Sequence, residues 1–245
     1  MLPGEDENNL RINIPKFFLY FCLHKKSNPM KKIALAILAI VFIFNFTSMS
    51  QPKTDKKVVK FVIHTDYGDM TGFLYNETPQ HRDNFVKLSK SGFYDGTMFH
   101  RVISGFMIQG GDPDSKNAKP GQQLGMGGPG YTVPAEFNKT FIHKKGALAA
   151  ARTGDQGNPT KASSGSQFYI VQGKKVPASQ LGAIYTPDQK KVYETIGGVP
   201  FLDTQYTVYG EITEGLDVID KIAAVQKDGN DRPVKDVKMT IKIVE

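Results

Sequence analysis

Phe99-His-Arg101-Val-Ile-Ser-Gly-Phe106-Met107-Ile-Gln109-Gly-Gly-Asp112 is the stretch whose reading decides the fold. Two short apolar runs, Met98–Val102 and Phe106–Gln109, are separated by a turn at Gly105, which is how paired strands read in sequence. Arg101 sits on an otherwise apolar strand. Taken alone, it is an arginine whose stem lies along core aromatics while its head stays in water.

Working outward, the same rhythm continues in both directions. Val58–Thr65 is β-branched and apolar, Asp66–Asp69 is a turn, and Met70–Tyr75 returns, so the fold opens on a β-hairpin. Thr78-Pro79 then offers an N-cap with proline at the first helical position. Phe85 and Leu88 share one face of that helix, and Gly92 ends it. Further short runs follow at Ala147–Ala151, Gln167–Val171 and Thr207–Ile212, and a helix is expected at Gly215–Ala224. The chain closes on the alternating Val237–Val244. Many short strands with few helices predict a mainly β fold, a closed barrel with helices plugging its ends. Residues 173–200 interrupt the rhythm. Within them Thr186-Pro-Asp-Gln189 is a capping box heading a helix to about Ile196, which predicts a surface excursion from the barrel.

The chain has 245 residues, a net charge of +7, one cysteine and no tryptophan. This composition excludes a disulfide scaffold and a cysteine-based zinc site. Residues 30–51 read as an export signal: Met30-Lys-Lys, a 14-residue apolar run from Ile33 to Phe46, then small residues at Ser48 and Ser50. The run is shorter than the roughly 20 residues that span a bilayer. Cleavage after Ser50 is expected, with an uncleaved inner-membrane anchor over residues 33–46 as the alternative. Residues 1–29, with Cys22, fit no part of a signal and read as a gene-start extension, and 51–57 is a lysine-rich linker. Residues 1–50 hold six basic and three acidic residues, so the remaining 195 carry a net +4. Those charges are scattered, so no nucleic-acid groove is expected.

Gly125-Met-Gly-Gly-Pro-Gly130 matches G-x-G-x-x-G, but Pro129 lies inside it and the extended Tyr131-Thr-Val-Pro134 follows it. A dinucleotide site needs a helix there, so the segment is read as a loop. His24, His64, His81, His100 and His143 show no metal-ligand spacing. Asn138-Lys-Thr140 is a glycosylation sequon, meaningful only in a glycosylating secretory pathway.

Arg101 does not stand alone. Gly146–Thr153, Gly165–Ile170 and Phe201–Gly210 recur with it in matching order. Together with F-H-R-x-x-x-G-F-M-x-Q-G-G-D, they make residues 58–245 resemble a cyclophilin-type peptidyl-prolyl cis–trans isomerase, on its bacterial branch. The resemblance implies an eight-stranded antiparallel barrel with two capping helices and an active site on its outer face. It places Arg101 at the imide nitrogen of an X–Pro bond and Gln109 at the substrate backbone carbonyl. Phe106, Met107, Tyr169 and Leu202 map onto the proline pocket, and Ala151 and Arg152 onto the adjoining peptide groove. Phe201 and Tyr206 stand where many members carry Trp and His, and Tyr169 replaces a usual Phe, adding a hydroxyl at or near the slot.

Rotation about X–Pro crosses a barrier of about 18–20 kcal/mol set by amide resonance and breaks no bond. No metal or other cofactor is required. The expected partners are proline-containing unfolded or extended polypeptides of the periplasm or exterior, and the expected state is a monomer. The competing reading, from a different class, is a peptide-binding module that uses the same pocket with little catalysis. A binding-only pocket has no need of a guanidinium at the imide, so Arg101 separates the two. The 173–200 excursion is longer than in minimal members and is expected to border the groove or dock near it.

Overall fold

The computed structural model describes residues 58–244. The extension 1–29, the export segment 30–50 and the linker 51–57 fall outside the described residues.

Ten strands are present among the described residues: β1 (Val59–Thr65), β2 (Gly68–Leu74), β3 (Arg101–Ile103), β4 (Met107–Gly110), β5 (Thr132–Val133), β6 (Ala147–Ala150), β7 (Ser163–Ser164), β8 (Phe168–Val171), β9 (Val208–Glu214) and β10 (Met239–Val244). Three helices accompany them: α1 (Pro79–Lys90), α2 (Pro187–Thr195) and α3 (Leu216–Ala223). Eight strands form one antiparallel sheet in the order β10-β1-β2-β9-β6-β8-β4-β3, and β5 pairs with β7 separately. Helix α1 packs on β10 and β9, and α3 on β2, β4 and β3.

The closed barrel is corrected to a curled, open sheet whose edges are β3 and β10. β3 is three residues long, and the Val102 N–H donates to the Asp231 carbonyl (2.8 Å) rather than to β10. The backbone bonds between the two edges lie ahead of β3, at residues 96–99. Met98 bridges Lys238, and the Phe99 N–H donates to the Val237 carbonyl (2.9 Å).

The central strands are buried on both faces, which explains why they read as continuous apolar runs. Ile108, Leu148, Phe168 and Ile170 enter the main core with Phe61, Phe85 and α3's Ile219 and Ile222. Their alternates, Met107, Ala147, Ala149, Tyr169 and Val171, enter a second cluster on the opposite face. Each fully buried Phe or Leu contributes about 1.5–3 kcal/mol. The alanines of β6 leave room on that second face for the aromatic rings described below.

Helix α1 ends in a Schellman motif. Gly92, at φ +70°, donates to the Ser89 carbonyl, and the Phe93 N–H returns to Leu88. Its start differs from expectation, because the Thr78 side chain makes no capping bond. Glu136 supplies the cap instead, accepting the Gln80 N–H (3.1 Å) and the His81 N–H (3.0 Å) across 55 residues of chain. Helix α2 carries the capping box read from its sequence, with Thr186 and Gln189 bonding reciprocally.

The excursion closes on itself at a neck, where the Lys174 and Gly198 backbones exchange bonds of 3.3 and 2.9 Å. Gly173 sits there at φ +66°, and a Cβ on it would lie 2.4 Å from the Gly198 Cα, so no other residue fits. Inside the loop, Leu181 and Tyr193 of the excursion pack with Ile142 in a small core of their own.

Candidate active site

Strand register builds the first half of the site. Arg101 on β3 lies opposite Gln109 on β4, and Gln109 lies opposite Tyr169 on β8. These three side chains therefore form a row on the face away from the main core. Arg101 donates from Nη1 to Gln109 Oε1 at 3.3 Å. Gln109 donates from Nε2 to Gln167 Oε1 at 3.1 Å, and Gln167 donates to the Gly127 carbonyl at 2.8 Å. The arginine head is thus tied by two amides to the glycine-rich loop. Buried Asp112 holds that loop by accepting the Gly125 N–H (2.5 Å). The loop carries no helix, as the sequence predicts.

The second half comes from a single 3₁₀ turn, Pro200–Leu202, and the residues after it. Leu202 is buried, and Tyr206 meets Tyr169 edge-on at 5.9 Å. Arg152 lies over the Tyr206 ring, 4.4 Å from its centroid. It also donates to the Gln205 carbonyl at 3.0 Å and to Asp155 at 2.5 Å. The bond from Arg152, helped by the charges of Arg152 and Lys161, holds the exposed Asp155 carboxyl below the usual carboxylate range. An arginine so occupied acts as a clamp on the pocket wall.

Between the halves lies a cavity of about 100 Å³, lined by Arg101, Phe106, Met107, Gln109, Ala151, Arg152, Tyr169, Leu202 and Tyr206. Nine of the ten residues singled out in the sequence therefore converge. Phe201 is the exception: it is 72% exposed and stacks on Phe106 at 5.8 Å, outside the lining. A Pro-Phe-Leu turn buries only one of its two apolar side chains here, so Phe201 forms a rim and not a wall. An open groove of about 880 Å³ adjoins the cavity, sharing Gln109, Ala151 and Arg152 and running along Gly125–Thr132.

Tyr169 lines the cavity with its ring, and its hydroxyl is bonded to His143 Nε2 at 3.0 Å. Burial, with Tyr206 and Asp203 nearby, pushes that hydroxyl's pKa well up, so it stays protonated and can donate. His143 and Asp203 were not assigned from the sequence to this site, nor was Gln167. Gln167 adjoins the Phe168-Tyr169 run and could have been found there. His143 could not, because its partners lie 26 and 60 positions away.

The family description "Cyclophilin type peptidyl-prolyl cis-trans isomerase/CLD" matches residues 60–243. A Staphylococcus saprophyticus relative assigned to the peptidyl-prolyl cis-trans isomerases is 38% identical over 196 residues, covering 76% of this chain and 92% of its own. A Staphylococcus aureus (strain USA300) relative with the same assignment is 38% identical over 198 residues, covering 76% and 93%. The crystal structure of a Cryptosporidium parvum cyclophilin type isomerase superposes with a TM-score of 0.57 at 25% identity, covering 77% of this chain and 98% of that one. A second structure of that protein, in the presence of the dipeptide Ala-Pro, gives 0.56 at 24% identity, covering 76% and 99%. With its strand-borne arginine and glutamine beside an apolar slot, the chain belongs to the cyclophilin-type peptidyl-prolyl cis–trans isomerase family.

Proposed function

We propose that the chain accelerates X–Pro isomerisation in exported polypeptides, with Arg101 stabilising the twisted imide. The observation that carries this reading is the Arg101 guanidinium at the edge of a slot otherwise walled by Phe106, Met107, Tyr169 and Leu202. As the C–N bond rotates, resonance is lost and the nitrogen lone pair becomes an acceptor. A donor aimed there binds the transition state more tightly than the planar ground state. The Gln109 bond orients the guanidinium beforehand, so little reorganisation is needed during rotation. Gln109 gives one of its two amide hydrogens to Gln167, and the other is suited to a substrate carbonyl. The apolar slot grips the pyrrolidine ring, and the larger groove has room for flanking residues of an extended chain. The Ala-Pro dipeptide named with the Cryptosporidium neighbour supports proline-containing peptides as the ligand class.

Steady-state isomerisation of an Ala-X-Pro-Phe type peptide tests this reading. Wild type should be active and Arg101→Ala should lose most of that activity. Equal rates would end the catalytic assignment and leave a peptide-binding module.

Residues 30–51 support export to the periplasm or exterior, because a basic start, a short apolar run and small residues at 48 and 50 follow in that order. Mass spectrometry of the native protein should find Gln51 at its N-terminus. A start at Met1 or Met30 would favour retention by residues 33–46.

A further inference from the structure

The turn that carries Phe201 and Leu202 is gripped at both ends by tyrosines of the excursion. Tyr185 donates to the Pro200 carbonyl at 2.9 Å, and Tyr193 donates to Asp203 Oδ2 at 2.5 Å. The two rings meet edge to face at 5.7 Å and 88°. Asp203 does more than end the turn. Its Oδ1 accepts the His143 backbone N–H and pairs with His143 Nδ1, both at 2.7 Å. With the Nδ1 hydrogen donated to the carboxylate, Nε2 is the acceptor for the Tyr169 hydroxyl, 3.0 Å away. His143 and Tyr193 are fully buried, and the Asp203 side chain is 6% exposed. Every polar group along this line therefore has a protein partner in a region of low dielectric, where such bonds are strongest and most directional.

We infer that the excursion is a positioning element of the isomerase. Tyr193, through Asp203 and His143, fixes the Tyr169 ring that walls the proline pocket. The neck extends the same arrangement to Phe106, whose carbonyl accepts the Gln172 and Gly173 N–H groups at 3.0 Å each. The line runs from a helix on the excursion to a wall residue whose hydroxyl is bonded behind the slot. This inference rests on the pocket assignment made above and adds to it how that pocket is held. Tyr193 touches no substrate; it is a positioning residue.

The test uses full-length protein and the same proline peptide. Tyr193→Phe removes one hydroxyl and leaves the ring packed against Ile142 and Leu181. It should raise KM about fivefold with kcat within about twofold of wild type, because a loosened wall weakens the grip on proline in ground and transition states alike. Tyr169→Phe should do the same, and the double variant should be no worse than about fivefold, since both changes cut one line. A product of the two effects, about 25-fold, or an unchanged KM in Tyr193→Phe, would overturn the inference. So would a lowered unfolding temperature with unchanged kinetics. Should Tyr193→Phe not fold, Tyr185→Phe supplies the same KM measurement on the other end of the turn. An inactive wild type would remove the isomerase reading itself, and with it this one; an active wild type with an indifferent Tyr193 would remove this one alone.

Discussion

The two halves of the pocket are built by different means. Arg101, Met107, Gln109 and Tyr169 stand at positions set by strand register, with the Tyr169 hydroxyl held in addition by His143. Leu202 and Tyr206 have no ladder, and stand where side-chain bonds from Asp203, Arg152 and the excursion place them. A ladder distributes its energy over many bonds, so the loss of one matters little. A turn held by a few buried bonds depends on each of them. The proposed donor therefore stands in the half that tolerates change, and substrate grip is shared between that half and one that does not.

Removing the donor itself gives the largest expected effect. Arg101→Ala should lower kcat/KM by about 10²–10³-fold, the loss typical of an electrostatic donor in a sheltered site. The unfolding free energy should barely move, because the half-buried Arg101 side chain belongs to neither apolar cluster. A comparable loss of stability would show that the strand half is not self-supporting.

The next effect probes the same strand from behind. His100 precedes Arg101 and is buried, and its ring nitrogens have no well-formed hydrogen bond among the described residues. Burial above all, with smaller contributions from Arg101 and Arg232, lowers its pKa from 6.5 to about 4, against the opposing pull of Asp112. Between those values the unfolded chain takes up a proton that the folded chain refuses. The His100 contribution to stability should therefore fall by about 3 kcal/mol as pH drops from 6.5 to about 4, and level off below that. Urea unfolding across that range checks it, and His100→Gln should flatten the slope.

Gln167→Ala cuts the tie between Gln109 and the glycine-rich loop while leaving the β3–β4 register intact. A loss of about tenfold in kcat is expected, with KM less affected, since the orientation of Arg101 loosens and the slot remains. A change confined to KM would place Gln167 with the gripping half instead. Phe201→Ala should do least. An exposed rim ring ought to alter KM by less than about twofold, whereas Leu202→Ala, at a buried position, should raise it several-fold. Equal effects would mean that the rim closes on bound peptide.

The strand half was readable because register follows from local pattern. Met98–Val102, Phe106–Gln109 and Gln167–Val171 located three neighbouring strands to within three residues at either end. Helix α2 was readable for the same reason, because Thr186 and Gln189 are three positions apart. The turn half is readable only through resemblance, which names Leu202 and Tyr206 but says nothing of the exposure of Phe201 or of the partner of the Tyr169 hydroxyl. Both depend on which distant group arrives, and no spacing rule reports that. The closed barrel was over-read because short strands suggest closure, while a three-residue edge strand cannot complete a ladder. Thr78 was taken for a cap because it stands where caps stand.

Glu136 gives α1 the start that Thr78 does not. An isolated helix forms in about a microsecond, but the first turn of this one waits for a loop of some 55 residues to close. A chain that has emerged from the ribosome, or from a membrane pore, only as far as Tyr131 has all of α1 and none of its cap. The helix in such a chain frays at Gln80 and His81, and it becomes firm only when Glu136, a few residues beyond the segment that borders the peptide groove, has arrived. For a catalyst of slow folding steps, its own helix α1 is settled late.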